Sequence, residues 1–489
     1  MNANNTAQDM ITDVTNHINQ FEQETTQVQL SSFSNPEEIY KDLLRCIIPV
    51  DFDSLANNPD GKARENDKIV ICIDQLLELS DTNNRAIQIN IGGYVSMYNG
   101  KYWQLLNPEE TKIFLGAVAE KMGLTHCSAN FFKFKEKLYK QLISHAYKTE
   151  QKKKGVSYVN FQNGTLIIDH RSRKNTFQEH KSIHGLRYCL PYDYNQNADC
   201  PKFKMFLDEM LPDKDAQLLL MEHIGRPFVK DDINLEKILF LYGDGLNGKS
   251  VIYNVVCGLL GEENVTHYSL ESVTRNKDYC RAKLHYKLLN YGSDINDKMD
   301  VDIFKKMASQ EMVEARDIYR TSIEMRDYAT QIYNTNVFLD TTVELTDGFE
   351  RRIDILLFQK RVEKHKIDTR LAEKLAKEYA GIFNLALEGI LRLMTNSCFT
   401  ECQASEVFKR EFFNEANPIM DFLHTKGYTP APIAGVTLHS LYNEFKTFCE
   451  ENCLPLLTNN MFSRQLRRRN IRVEKDGSKP RVVFVQKIK

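Results

Sequence analysis

The chain has 489 residues, of which 42% are hydrophobic and 27% are charged, ordinary values for a globular protein. This length predicts about three domains, and the composition excludes wholesale disorder. No apolar run approaches the ~20 residues of a membrane helix, and the start, MNANNTAQDM, lacks the basic and apolar regions of a secretory signal. We therefore expect a cytoplasmic protein, and exclude the membrane, secreted and fibrous classes.

The eleven cysteines are an odd number, and they show neither a CxxC motif nor a Cys/His zinc spacing. This pattern is typical of the reduced thiols of a cytosolic protein. A redox or metal role for some of them is the alternative.

The charge is unevenly distributed, although the formal net charge of the whole chain is only −2. Residues 461–489 contain ten Lys or Arg residues and two acidic residues, Glu474 and Asp476. So strong a local excess of positive charge predicts an anionic partner, and makes nucleic acid a hypothesis.

Five regions follow one another along the chain. The first is rich in Asn, Gln and Thr, and predicts a flexible extension. Mixed α/β patterns follow, with short strands around Asn99-Gly100, helices over 109–145, a β-hairpin turning at Asn163-Gly164 and helices over 201–225. A lysine-rich stretch at 148–154 reads as a linker. The predicted regions are a flexible extension at 1–33, an N-terminal mixed α/β domain at 34–150, a second α/β region at 151–226, an α/β domain with a helical lid at 227–400 and a C-terminal domain at 410–489.

The region 227–400 alternates short buried strands with helices. The predicted strands are 237–242, 288–293, 331–336 and 353–358, and a helix over 249–260 follows the first of them. Strands separated by crossovers of this length favour a parallel sheet in an α/β domain. Apolar residues with helical spacing over 367–394 predict the lid.

The first strand of this region leads into the run GDGLNGKS, which matches the phosphate-binding pattern G-x-x-x-x-G-K-[ST]. A strand before it and a helix after it are the context that this pattern requires. Glycines allow the backbone N–H groups to wrap around phosphate at the positive end of the following helix. Lys249 is expected to reach the β- and γ-phosphates of ATP, and Ser250 to hold Mg²⁺. The predicted nucleotide-binding residues are Gly243, Asp244, Gly245, Leu246, Asn247, Gly248, Lys249 and Ser250.

Four further residues complete the predicted catalytic site. Asp294 ends a strand and is suited to organise Mg²⁺ and water, with Asp297 and Asp300 as alternatives. Asn336 ends another strand, where an amide can sense the γ-phosphate. The pair Arg351 and Arg352 could stabilise transition-state charge on the nucleotide of a neighbouring subunit; the alternative is an ordinary surface pair.

The C-terminal region predicts a winged helix. An amphipathic helix over 438–452 is followed by a helix over 459–470 with Thr458 as its N-cap. Two short strands then flank Asp476-Gly477, a strong hairpin signal. This order of elements is that of a winged helix, with basic side chains directed at duplex DNA. The predicted contacts are Arg464, Arg467, Arg468, Arg469, Lys475, Lys479 and Arg481; a basic cap facing solvent is the alternative.

Together these pieces resemble the superfamily-3 helicases, in particular the primase-helicases of phages, plasmids and poxviruses. The resemblance includes Asn163-Gly-Thr-Leu, Gly243–Ser250, Asn334-Thr-Asn336 and Phe349-Glu-Arg-Arg-Ile353. It implies an AAA+-like ATPase that forms a hexamer on single-stranded DNA in the host cytoplasm and opens the duplex. It also implies DNA-gripping residues between the acid and the sensor, for which the candidates are Lys305, Lys306, Arg316 and Arg320.

Relatives of this kind often carry a primase at the N-terminus. The run from Ile47 to Asp53 mimics the metal motif of a primase strand, but the space before the linker is tight for such a core. We interpret the run as an acidic turn and expect a separate primase or polymerase as a partner.

Two functions from different classes remain open. The first is an ATP-dependent DNA helicase acting at replication initiation, and the second is an ATP-gated origin-binding initiator or loader that does not unwind DNA itself. A small-molecule P-loop kinase is disfavoured because it leaves the basic C-terminal region and the arginine pair without a role.

Overall fold

The structure is a computed structural model of the whole chain. Contacts between Cα atoms group the chain into two units, one formed by Met1–Lys153 with Phe177–Cys189 and the other by Lys154–Thr176 with Leu190–Lys489. The residues that the structure describes are 36–83, 85–89, 95–146, 155–229, 233, 235–275, 278–293, 299–316, 322–336, 347–363, 365, 368–415, 418–433, 435–452, 454, 456–468, 471–475 and 480–487.

The first unit packs helices around one apolar core beside a small antiparallel sheet. Asn107 shows how sequence starts a helix here, because its side chain accepts from the N–H groups of Glu109 and Glu110 while Pro108 occupies the first turn. The elements are α1 (Pro36–Cys46), α2 (Phe52–Ala56), α3 (Glu65–Thr82), β1 (Ile87–Ile89), β2 (Val95–Tyr98), β3 (Trp103–Leu105), α4 (Pro108–Lys121), α5 (His126–Asn130) and α6 (Phe132–His145).

The two acids of the primase-like run, Asp51 and Asp53, accept hydrogen bonds from backbone N–H groups. The Asp51 side chain caps α2 by accepting from the N–H of Ser54 at 3.2 Å. Asp53 accepts from the N–H of Ala63 at 2.7 Å. The run therefore forms a turn into a short helix, as the acidic-turn interpretation requires.

The second unit begins with a β-hairpin and two helices. The hairpin turns at Asn163 and Gly164, as predicted, and pairs its strands antiparallel. The elements are β4 (Val156–Phe161), β5 (Gly164–Asp169), α7 (Pro201–Met210) and α8 (Lys214–Gly225). Strand β6 (Asn175–Gln178) spans the point in the chain, between Thr176 and Phe177, at which the two units are divided.

A five-stranded sheet forms the centre of the second unit. Its spatial order is β13-β7-β12-β9-β8, and all neighbouring strands are parallel, which confirms the predicted α/β class. These strands and their crossovers are β7 (Ile238–Tyr242), α9 (Lys249–Leu260), β8 (Val265–Thr266), α10 (Leu270–Thr274), α11 (Asp278–Ala282), β9 (Leu289–Ser293), α12 (Val301–Ala308), β10 (Val313–Ala315), β11 (Ile323–Met325), β12 (Thr330–Thr335), α13 (Asp347–Glu350) and β13 (Ile353–Leu357).

Two helices after β13 occupy the stretch predicted as a lid: α14 (Leu371–Ala376) and α15 (Tyr379–Asn396). Helix α15 packs closely on α8, since a Cβ added at Gly389 would lie 2.8 Å from the carbonyl oxygen of Met221. The contact also contains a buried charge, Glu222, whose carboxylate pairs with Arg392 at 3.1 Å and accepts from Thr400. A buried carboxylate requires such partners because its desolvation is costly.

A second buried polar cluster fastens the sheet to α8. Asp354 in β13 is paired with His223 of α8 at 3.0 Å and with Lys237 at 2.7 Å. Burial alone would raise the pKa of Asp354, but the His223 hydrogen bond and the Lys237 ammonium outweigh it and lower the pKa to about 2. For His223, whose charged form is the protonated one, burial lowers the pKa. The cluster therefore holds a carboxylate, rather than a carboxylic acid, between the sheet and the helix.

The C-terminal segment, residues 418–487, has its own apolar core. Leu441 and Phe445 of one helix pack with Phe462 and Leu466 of the next, and Thr458 caps that second helix, as predicted. The elements after α15 are α16 (Gln403–Glu415), α17 (Pro418–Thr425), β14 (Tyr428–Pro430), β15 (Val436–Thr437), α18 (Leu438–Glu451), α19 (Asn459–Arg468), β16 (Val473–Glu474), β17 (Val482–Val483) and β18 (Val485–Lys487). Strands β16 and β17 pair antiparallel at the predicted hairpin.

Several predictions fall outside the described residues: the extension at 1–33, the linker at 148–154 and the Asp476-Gly477 turn. The five-region division of the chain stays a prediction. Within the described part of the chain, no helix combines the length and the apolar character that crossing a membrane demands.

Candidate functional site

The loop between β7 and α9 is shaped by backbone conformations that favour glycine. Gly243 has a φ of 153° and Gly248 a φ of 86°, while Leu246 adopts the left-handed region at 61°. A Cβ added at Gly243 would lie 2.3 Å from the carbonyl oxygen of Phe358, whereas one added at Gly245 would meet no atom within 4 Å. The loop is therefore tight at its first glycine and open at its second.

Lys249, the first residue of α9, folds its side chain back over this loop. The ammonium donates to the carbonyl oxygens of Gly243 and Asp244, the latter at 3.1 Å, and lies 3.3 Å from the side-chain oxygen of Asn247. The side chain is buried, and this burial lowers the pKa of Lys249. Next to it, Ser250 is exposed at the N-terminal end of the helix. An ammonium, an exposed serine and a helix N-terminus together suit an anion with a bound cation.

A strap formed by residues 358–362 supports the loop from the other side. The Asn247 side chain donates to the carbonyl oxygen of Phe358 at 2.9 Å, and the N–H of Val362 donates to that of Leu246 at 2.8 Å. Arg361, in the strap, pairs with Asp244 at 3.3 Å. Arg361 was not among the residues predicted from the sequence. The sequence feature that could have indicated it is its position shortly after β13, a strand that pairs with β7.

The carboxyl ends of three parallel strands meet at the loop. Tyr242 at the end of β7 is in register with Thr335 of β12, and Ser293 at the end of β9 is in register with Asn334. Asn336, the predicted sensor, follows β12 directly and is exposed. The predicted acid Asp294 follows β9 and lies outside the described residues, as does its alternative Asp297.

The third candidate acid has another partner. The Asp300 carboxylate caps α12 by accepting from the N–H groups of Asp302 at 2.9 Å and Ile303 at 3.0 Å. Such a cap is stabilising by ~1 kcal/mol. Asp300 is therefore a helix cap, and Asp294 and Asp297 stay as the candidates.

The two predicted arginines differ sharply in their surroundings. Arg352 is buried and donates to the Gly348 carbonyl and the Ser309 hydroxyl, and it pairs with Glu236 at 2.8 Å. Arg351 is exposed and pairs with the same carboxylate at 3.1 Å. Because an exposed ion pair is worth only ~0.2–1 kcal/mol, Arg351 can leave Glu236 at little cost, whereas Arg352 is fixed within its own chain.

Both arginines lie at the edge of the sheet opposite the loop. They precede Ile353, which is in register with Ile238 at the start of β7, whereas the loop follows Tyr242 at the end of that strand. Five strand residues at ~3.3 Å each separate the two edges by roughly 17 Å. Arg351 is therefore remote from the loop of its own chain.

The predicted DNA contacts on the second unit fall into two groups. Near the sheet, Lys306 is exposed on α12, Lys305 pairs with Asp302 at 3.3 Å, and Arg316 is exposed where β10 leads towards β11. Arg320 lies outside the described residues. Along the chain, the three described cations therefore lie between β9 and the sensor strand β12, two on α12 and one directly after β10.

In the C-terminal segment, Arg464 and Arg467 are exposed on α19, opposite the face that buries Phe462 and Leu466. Lys475 and Arg481 are exposed at the ends of β16 and β17. Arg468 belongs to α19 but its side chain is not among those described, and Arg469 and Lys479 lie outside the described residues. At least four of the predicted cations are therefore exposed, two on α19 and two beside β16 and β17.

Comparison with known proteins finds two matching families. Residues 241–352 match a family of unknown function, DUF5906, and residues 76–212 match the family described as D5 N terminal like. The chain is similar to both. Each match spans less than a third of the 489 residues.

Three solved structures of the NrS-1 C-terminal region, all apo, are also similar. One A-form structure has a TM-score of 0.47 and 10% identity, over 86% of this chain and 100% of that chain. A second A-form structure has a TM-score of 0.46 and 10% identity, over 84% of this chain and 98% of that chain. The third structure has a TM-score of 0.44 and 12% identity, over 86% of this chain and 99% of that chain.

The loop geometry yields a test that needs no ligand. We expect Gly243→Ala to lower the free energy of unfolding of the second unit by ~1–3 kcal/mol, because the new methyl group meets the Phe358 carbonyl and the φ is unfavourable. Gly245→Ala, the matched control, should change it by less than ~0.5 kcal/mol. Urea unfolding of the full chain measures both values. Equal effects of the two substitutions would contradict the described contact between loop and strap.

Proposed function

We propose that this protein is an ATP-dependent DNA helicase of a phage or other mobile genetic element. The observation that carries the proposal is the glycine loop at the carboxyl edge of the parallel sheet, with the Lys249 ammonium held over it. Ligands of α/β sheets bind outside the carboxyl ends of the strands, and this loop lies there. The likeness of residues 76–212 to the D5 N terminal family supports a role in replication.

In this proposal the loop residues Gly243 to Ser250 bind ATP with Mg²⁺. Phosphate oxygens replace the loop carbonyls around the Lys249 ammonium, and the Ser250 hydroxyl coordinates Mg²⁺. Asp294 organises Mg²⁺ and the attacking water, and Asn336 senses the γ-phosphate. Arg361, released from Asp244, is positioned to help neutralise the phosphates.

The arginine pair divides into two roles. Arg352, with its three partners in its own chain, orders the turn before β13. Arg351 acts on the nucleotide of the neighbouring subunit, because it is exposed and lies at the sheet edge away from its own loop. An arginine that acts between subunits requires a ring, and we propose a homo-hexamer around single-stranded DNA.

DNA would be gripped at two places. Inside the ring, the cations that lie between β9 and β12 along the chain contact the single strand: Lys305, Lys306, Arg316 and Arg320. The C-terminal segment acts as a winged helix on duplex DNA, through the residues predicted from the sequence. These are Arg464, Arg467, Arg468 and Arg469 for the second helix and Lys475, Lys479 and Arg481 for the wing. A separate primase or polymerase is the expected partner.

The second candidate is an ATP-gated, origin-binding initiator or loader that does not unwind DNA. The cation-bearing surface of the C-terminal segment favours it, since duplex binding is what such a protein needs. The two functions share the loop and the ring, and they differ in strand separation by the purified protein.

The role of Arg351 is tested by mixing two inactive variants. Lys249→Ala and Arg351→Ala should each lose ATP hydrolysis, the latter by roughly 10³-fold. Mixed rings should regain activity, because a Lys249→Ala subunit still supplies Arg351 to the intact loop of its neighbour. Arg410→Ala, an exposed arginine on α16, is the control and should hydrolyse ATP normally. Mixtures that stay inactive, although both proteins assemble, would refute action between subunits.

Duplex binding is tested through its salt dependence. If Arg464 and Arg467 each neutralise a phosphate, the double substitution to Ala should reduce the slope of log K against log salt by about 1.8. Lys426→Ala with Lys446→Ala removes the same charge from the same segment, but both lysines are paired with glutamates. This control should leave the slope nearly unchanged, as fluorescence anisotropy would show. A slope reduced equally by both double substitutions would exclude a specific α19 surface.

A further inference from the structure

The turn that leaves α9 brings three metal-binding side chains together. Cys257 lies in the last turns of α9, Glu262 begins the following 3-10 turn, and His267 comes directly after β8. One sulfur, one carboxylate oxygen and one ring nitrogen from these residues all lie within 4.8 Å of one another. No other group of three such donors is found among the residues that the structure describes. All three donors come from eleven consecutive residues.

The surroundings of His267 suit a metal ligand. Its Nδ1 lies 3.3 Å from the carbonyl oxygen of Tyr291 and 3.0 Å from the hydroxyl of Tyr253. A proton on Nδ1, donated to that carbonyl, leaves the lone pair on Nε2, which faces Glu262 with 3.9 Å between Nε2 and Oε2. Metal-bound histidines usually donate their second ring N–H to such an oxygen.

The surroundings of Cys257 also suit a metal ligand. The side chain is fully buried in the last turn of α9. Burial, with a smaller contribution from the Glu262 charge, raises the pKa of the Cys257 thiol to about 12. A divalent cation reverses this balance, since a coordinating thiol is deprotonated.

We propose that Cys257, Glu262 and His267 form a Zn²⁺ site with water as the fourth ligand. As the Zn–S bond forms, the thiol proton leaves to solvent. A mixed sulfur, nitrogen and oxygen set suits Zn²⁺, whereas Mg²⁺ takes oxygen ligands only. Bonds of ~2.0–2.3 Å in tetrahedral geometry separate the donors by about 3.5 Å, so the exposed Glu262 and His267 side chains need to close by about 1 Å.

The site would fasten the end of α9 to β8, the outermost strand of the sheet on that side. Helix α9 runs ~18 Å from Lys249 to its C-terminus, so the cation is far from the phosphates. It would link the helix to β8 and, through the Tyr291 carbonyl, to β9. The proposal is independent of the nucleotide, and predicts a gain in stability on Zn²⁺ binding by mass action.

Cobalt provides the test, because Co²⁺ bound to a thiolate absorbs by charge transfer from sulfur. The full chain is dialysed against chelator and titrated with Co²⁺ in excess Mg²⁺, and Zn²⁺ is then added in competition. We expect saturable charge-transfer absorption at one Co²⁺ per chain, displaced by Zn²⁺ and absent in Cys257→Ala. Glu262→Gln should weaken binding by about tenfold or more, while Glu263→Gln, its exposed neighbour, should bind normally.

Several outcomes overturn the proposal. These are no charge-transfer absorption in the native chain, absorption that survives Cys257→Ala and so arises from another cysteine, or equal weakening by Glu262→Gln and Glu263→Gln. If Cys257→Ala does not fold, His267→Gln takes its place, because His267 is partly exposed. That variant should keep the fold, lose at least tenfold in affinity and lose the rise in melting temperature that Zn²⁺ gives the native chain.

Discussion

A buried ammonium group governs the loop between β7 and α9. The Lys249 side chain is buried, so its charge requires acceptors, and the loop bends back to offer its own oxygens. That bend requires the positive φ of Gly243 and the close approach of Phe358, and the strap from β13 holds it in place. In the proposed function, phosphate oxygens take the place of these oxygens around the ammonium. The loop is thus organised around the Lys249 ammonium before any ligand binds.

The parallel sheet separates the proposed chemistry into two edges. The loop, Asn336 and the end of β9 share the carboxyl edge, while Arg351 lies at the other. A single chain therefore supplies an arginine that its own loop cannot use. The proposed ring follows from this separation together with the weak hold of Glu236 on Arg351. Buried Arg352, by contrast, is part of the wall that orders the turn before β13.

The sequence predicted best what depends on local pattern. Strand β7, helix α9, the Asn163 turn and the Thr458 cap arise from periodicity and from side chains that bond to nearby backbone, so they could be placed within a residue or two. Sequence could not divide Arg351 from Arg352, because the difference lies in Glu236 and Ser309, which are distant along the chain. The strap residue Arg361 was missed for the same reason. The donors Cys257, Glu262 and His267 escaped because their spacing follows no familiar zinc motif, and only the turn after α9 brings them together.

Unwinding of a forked duplex with ATP and Mg²⁺ tests the central claim most directly. The account predicts strand separation by the native chain, none by Lys249→Ala or Asp294→Ala, and retained single-strand binding by both variants. Unwinding by Lys249→Ala at the native rate would contradict the assignment of the loop. Hydrolysis of ATP by an assembled native ring that separates no strands would contradict the helicase and favour the loader.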